Sequence, residues 1–274
     1  MVDQIRYVAE CYGQGPCVVL IPSLGRPGAD CDDLASRLNV AGFSTVVLSP
    51  VIRDVPDASP FGPDDYDIPR TIWPVTGKHG QTFEDLADVV AAVVHGTAGE
   101  PVHLIGHAYG QALARCTLMR HPEMARSLTL LACGRGVASD ELNVSVRACF
   151  DSDLAARDRD SHLAHVARAF FAPGNDPAEW ADGWLGDVAV LQMEALLHTN
   201  PTWRTVSFEP TPVLLAQGLQ DALAPPEDGR HYAAEHPHVE LVEIDGAGHA
   251  LLPERPDELA QACLQFLSQV AGGN

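Results

Sequence analysis

The chain has 274 residues, a formal charge of −20, 46% hydrophobic residues and 20% charged ones. That apolar content suits a large buried core and excludes a disordered chain. The acidity excludes a nucleic-acid partner, which needs clustered Lys and Arg against phosphate. Lys78 is the single lysine among 17 basic residues, so neither a lysine nucleophile nor a phosphate-loop lysine is expected. The seven cysteines include no C-x-x-C pair and several sit inside apolar runs, as Cys17 and Cys133 do. They read as reduced, mostly buried thiols. The N-terminal residues lack a basic segment followed by an apolar core, and no run reaches the roughly 20 apolar residues of a membrane span. The expectation is a soluble cytoplasmic protein, monomer or homodimer, without a membrane partner.

In chain order, residues 4–11 alternate as a half-exposed strand does. A turn over 12–16 leads into 17–21, a wholly apolar run of the kind buried on both faces of a parallel sheet. A Gly/Pro-rich loop, Pro22-Ser23-Leu24-Gly25-Arg26-Pro27-Gly28, precedes a helix capped by Asp30 or Asp32 and running to about Asn39. Residues 45–48 form the next buried strand, and 50–81 a long connection rich in Pro, Asp and Gly, a length usually tied to function or mobility. Thr82 and Asp85 resemble a capping box opening a helix through Val94. A strand over 102–106, a helix over 109–120 and a strand over 127–133 follow. Helical patterns at 153–171 and 180–198 interrupt the rhythm. It resumes with a strand at 213–216, a helix at 226–235, a strand at 239–244 and a helix at 257–270. Strands alternating with helices indicate a mostly parallel, doubly wound α/β sheet with helices on both faces. Residues 1–134 and 211–274 would be its core, and 135–210 a helical cap over the strand ends.

The most telling stretch is Gly106-His107-Ala108-Tyr109-Gly110, where a strand breaks into a helix through a turn flanked by small residues. That is the nucleophile elbow, usually Gly-x-Ser-x-Gly. Together with residues 20–25, Gln217 through Pro225 and Gly246 through Pro253, it resembles the α/β-hydrolase superfamily over nearly the whole chain, in nucleophile–acid–histidine order. The resemblance implies His249 as general base, Asp221 as the acid orienting it, and backbone N–H groups of Leu24 and Tyr109 as the oxyanion hole. Asp140 and Glu141 are the fallback acids. Pro22-Ser23 departs from the family's common His-Gly, and Gln111 stands where another glycine often follows the elbow.

Ala108 occupies the serine position and cannot attack a carbonyl. Natural divergence, an engineered inactive form, or a binding protein that has lost its chemistry would each account for it. Because His249 and Asp221 persist, the expected function is hydrolysis of a small, largely apolar carbonyl compound, ester or lactone. Activated water, or Ser23 as a relocated nucleophile, would replace the missing hydroxyl. A cofactor-free proton-abstracting lyase or oxygenase built on the same pair is the alternative; a small-ligand-binding protein is a second. No cofactor is implied. His162 and His165 have metal-ligand spacing but no evident third ligand, so no metal is expected and a solvated or packing role is. His107 is commonplace in such elbows, and His236-Pro237-His238 reads as a turn. Trp73, Phe150, Phe170, Phe171, Trp180 and Trp184 are assigned mainly to the cap core, with one or two facing an apolar pocket.

Overall fold

The computed structural model describes residues 2–55, 81–98, 101–134, 139–199, 202 and 206–272. Residues 56–80, most of the long connection and with it Trp73, lie outside the described residues. The uniformly apolar runs form the sheet centre: β2 (Cys17–Ile21), β4 (Val102–His107) and β6 (Val213–Gly218), the last two buried at every position. Among the described residues the sheet has seven strands in the order β1-β3-β2-β4-β5-β6-β7, with β5 at Ala125–Leu131 and β7 at Val239–Ile244. All neighbours are parallel except β1 (Val2–Gly13), which runs antiparallel to β3 (Ser44–Val55).

Both of those strands are longer than the sequence pattern indicates. Their ladder runs from Val2 opposite Val55 to Gly13 opposite Ser44, straight through Pro50. Beyond Val47, β3 is paired with β1 but no longer with β2. That edge setting tolerates a proline.

The period of two in the strands sorts the core into two layers. Val19, Ile21, Leu104 and Leu215 pack with Phe83, Leu86, Val90 and Leu113 from α2 (Phe83–Ala98) and α3 (Tyr109–Arg120). Val18, Leu20, Ile105 and Leu214 face the other way, onto Leu34 and Leu38 of α1 (Asp32–Val40) and onto residues such as Leu259 and Phe266 further along the chain. Each fully buried side chain of this size stabilises the fold by about 1.5–3 kcal/mol. The capping box at α2 forms as the sequence indicates: Thr82 N–H donates to Asp85 (2.7 Å) and Asp85 N–H to the Thr82 hydroxyl (3.2 Å). The proposed acidic cap of α1 does not form. A 3-10 turn over Gly28–Cys31 precedes that helix, and Asp30 instead binds Arg26.

Among the described residues four α-helices intervene between β5 and β6: α4 (Asp140–Cys149), α5 (Ser152–Arg157), α6 (Arg159–Phe170) and α7 (Gly186–Leu197). The single helix expected over 153–171 is broken at Asp158, whose side chain caps α6 through Ser161 N–H. The one expected over 180–198 begins only at Gly186. α4 has no counterpart among the helices expected from the sequence; it is short and amphipathic and buries only Ser145 and Cys149 fully. Beyond β6 the core closes with α8 (Pro226–Glu235), the short α9 (Leu251–Glu254) and α10 (Pro256–Gly272).

Arg26 fastens this insertion to the loop after β2. Its guanidinium sits in the corner made by the perpendicular rings of Trp180 and Trp184, 4.7 and 4.4 Å from their centroids. It forms a two-pronged pair with Asp30 (2.7 and 2.8 Å) and donates to the Asp182 carbonyl (2.8 Å). Arginine's planar fork suits stacking and paired bonds together, and an ammonium does not. Arg26→Lys is therefore expected to destabilise the fold by about 2–4 kcal/mol, measured as a lowered urea midpoint at unchanged slope.

Candidate active site

The elbow depends on two glycines. A Cβ on Gly106 would collide with the Gly110 carbonyl, and one on Gly110 with the Ile21 carbonyl. β2, β4 and the start of α3 thus approach more closely than side chains allow. Ala108, between them, is held at φ 50° and ψ −109°, outside the regions comfortable for alanine. Its N–H is tied to Leu131 O (2.9 Å) at the end of β5. The side chain at 108 is thereby lifted above the strand ends, as in the strained strand-to-helix turn that presents a nucleophile.

The chain after β6 turns through Gly218 and Leu219 to Asp221. One carboxylate oxygen accepts from Leu223 N–H (2.9 Å) and Ala224 N–H (2.7 Å). The other meets Gln217 Nε2 (3.2 Å) and His249 Nδ1 (2.9 Å). A buried carboxylate needs such a set of donors to remain charged. Because the carboxylate only accepts, Nδ1 of His249 carries the proton toward it, and Nε2 is left as a base. Backbone on both sides holds the imidazole in place. Gly248 N–H donates to Glu254 Oε2 (2.7 Å), His249 O accepts from His107 Nε2 (2.7 Å), and Ala250 N–H donates to Phe170 O (2.8 Å).

His249, Ala108, Ser23, Leu24 and Tyr109 all line one cavity of about 470 Å³, a size typical of small-molecule sites. Residues just past the strand ends, Ala108 after β4 and Ala132 and Gly134 after β5, supply its floor. Val146 and Phe150, from α4 and its end, with Met193 and Leu196 of α7, supply an apolar roof. Tyr109 begins α3, so its N–H is among those a helix leaves without an internal partner. The loop carrying Leu24 is pinned on either side of that residue. Arg26 N–H donates to Ser23 O (3.2 Å), Gly25 N–H to Gln192 Oε1 (2.7 Å), and Leu185 N–H to Gly25 O (2.9 Å).

Other sequence candidates are placed elsewhere. Asp140 and Glu141 are exposed residues in the first turn of α4, and Asp221, not either of them, meets His249. His162 is fully buried against Trp184, while His165 bonds Ser145 (3.3 Å). Among the described residues no group of three His, Cys, Asp or Glu side chains could hold a metal. His236 and His238 do lie in the turn between α8 and β7. Phe150 and Phe170 line the cavity, and Phe171 and Trp180 pack in the insertion's own core. Three residues that organise the site were missed: Gln217, Glu254 and Gln192. Each acts through long-range bonds to backbone, which no local spacing reveals.

His107 is structural. A carbonyl partner requires the proton on Nε2, and among the described residues the buried Nδ1 has no partner. Burial, reinforced by the neighbouring His249, lowers its pKa to about 3.

A model of the α/β-hydrolase family matches residues 9–262, and the chain belongs to that family. It is 28% identical over 206 residues to the carbamate-hydrolase candidate RutD of Pantoea ananatis (strain LMG 20103), covering 70% of this chain and 73% of that one. The fold is also that of a thermophilic esterase from Thermogutta terrifontis (TM-score 0.71, 17% identity, 96% and 93% of the two chains). A hydrolase from Pseudomonas aeruginosa PA01 is as similar (TM-score 0.71, 16% identity, 95% and 94%).

The depressed pKa of His107 makes a testable statement. Its unfolded value is about 6.5 and its folded value lower, so the unfolded chain takes up the proton first as pH falls. The stability it contributes is complete above pH 6.5 and is lost progressively toward pH 3. The advantage of the parent over His107→Gln should shrink by about 1.4 kcal/mol per unit between pH 6 and 4, read from urea melts at several pH values.

Proposed function

We propose that this α/β-hydrolase-family enzyme cleaves small carbonyl esters or lactones by direct attack of water, with His249 as general base and Asp221 as its orienting acid. The observation that supports it most is the 2.9 Å bond from His249 Nδ1 to a fully hydrogen-bonded Asp221, with the same imidazole lining a cavity beside Ala108. The methyl of Ala108 leaves space where a hydroxyl would stand. Nε2 takes a proton from a water there as its oxygen bonds to the carbonyl carbon. The carbonyl electrons move onto oxygen, and the N–H groups of Leu24 and Tyr109 stabilise that charge. Collapse re-forms the carbonyl and breaks the bond to the leaving alcohol, which receives the proton from Nε2. The helical insertion acts as a cap, keeping bulk water out and giving the cavity its apolar roof. Names among the relatives, carbamate hydrolase and esterase, both denote cleavage of a carbonyl–heteroatom bond.

His249→Ala should reduce turnover of p-nitrophenyl acetate and δ-valerolactone to background. Asp221→Asn should lower it by about two to four orders of magnitude, since the imidazole loses its oriented tautomer. Unchanged rates in His249→Ala would reject the scheme. The parent should show no burst and no covalent acyl adduct by intact mass. Ala108→Ser should show both, because the elbow would aim the new hydroxyl at Nε2. Absence of an adduct in that variant would show that position 108 does not face the carbonyl.

A further inference from the structure

Of the polar side chains in the cavity wall that the proposed hydrolysis leaves without a task, Gln111 is the one among the described residues with a buried, unpartnered atom. Gln111 sits in the first turn of α3, three residues past Ala108, and is only 5% exposed. Its Oε1 is buried and, among the described residues, has no hydrogen-bond partner. Thr199, another polar residue of the same wall, is fully engaged: its hydroxyl accepts from Phe83 N–H (2.8 Å) and lies 2.8 Å from Glu84 Oε2. The same wall carries apolar residues such as Leu24, Ala112 and Leu196. A buried carboxamide in such surroundings carries an unrecovered desolvation cost. A hydrophobic residue of the same length would avoid it.

We propose that Gln111 recognises the ligand, and that the ligand carries a cis-amide array, with N–H and C=O on the same side, as in a lactam, primary carboxamide or unsubstituted carbamate. A carboxamide offers an acceptor and a donor side by side. Gln111 Oε1 is covered by protein atoms in this rotamer, and because the last torsion is broad, ligand binding turns the carboxamide so that both ends face the cavity. A ketone or plain ester satisfies only the donor end, and an alcohol can meet only one end at a time in good geometry. A cis H–N–C=O group meets both through two antiparallel hydrogen bonds in one plane. A trans secondary amide presents its N–H and C=O in opposite directions and cannot. The cavity is large enough for a six-membered ring together with the cleavable group. This inference adds a recognition element to the proposed hydrolysis and takes its reactive end from that reading.

The test uses binding, so that it is independent of turnover. Affinities of 2-piperidone, N-methyl-2-piperidone and cyclohexanone, three rings of similar shape, are measured by calorimetric or NMR titration. The proteins are the parent, His249→Ala, Gln111→Leu and Gln111→Met. The parent and His249→Ala should bind 2-piperidone at least about tenfold more tightly than the other two rings. In Gln111→Leu or Gln111→Met, whichever folds, the ratio should fall below about threefold. A parent that binds all three alike, or binds none saturably, overturns the proposal. So does a ratio that survives removal of the carboxamide. Loss of ester turnover in His249→Ala without any ring preference would sink the role of Gln111 and leave the hydrolytic scheme standing. A clear preference with turnover intact in His249→Ala would do the reverse.

Discussion

Backbone passing against backbone at Gly106 and Gly110 is the constraint on which the site rests. With no side chain at either position, the end of β2, the end of β4 and the first turn of α3 touch directly. That contact forces Ala108 into its left-handed conformation, places the start of α3 beneath the cavity and brings the loop after β2 alongside. Larger residues would separate these three segments. The cavity floor, the N–H groups and the direction of position 108 would then be lost together.

The charged part of the site is built differently, by saturation. Asp221 has a donor for each of its lone-pair directions, two of them backbone amides from its own turn. Gln217 does double service, since its other end accepts from Cys133 N–H (3.1 Å) beyond β5. The carboxylate is therefore tied to two adjacent strand ends. The histidine loop is tied in turn to α6 through Ala250 and to α9 through Glu254, whose other oxygen holds Ala172 N–H (2.6 Å). Glu254 thus links the loop of His249 with the chain that leaves α6, and the sheet and the insertion share one set of fasteners.

Much of this was legible in the sequence. The apolar runs at 17–21, 102–106 and 213–216 could only be central parallel strands. The glycines around Ala108, with Asp221 and His249 in order behind them, were enough to indicate the family. What escaped had a common physical cause. The extension of β1 and β3 depends on their pairing with each other, which neither segment encodes alone. α4 is short and buries only Ser145 and Cys149 fully, in its packing on α6. Asp30 looks like a helix cap until Arg26, four residues earlier, claims its carboxylate. Gln192 and Glu254 carry no local signal, because their partners are amides over 80 positions away. A local pattern reports which face of an element is apolar. It does not report which distant N–H a buried side chain will meet.

The double attachment of Gly25 has one more consequence. Its N–H and its carbonyl are both held by residues of α7 or the turn before it, and the next residue rests in the corner formed by two indoles of the same insertion. The segment after β2 therefore takes its shape from helices more than 150 residues downstream, not from the strand that precedes it. Exchanging those helices for the equivalent piece of a relative would alter more than the roof. It would also release the peptide beside Leu24, so the two pieces can be traded only as a unit.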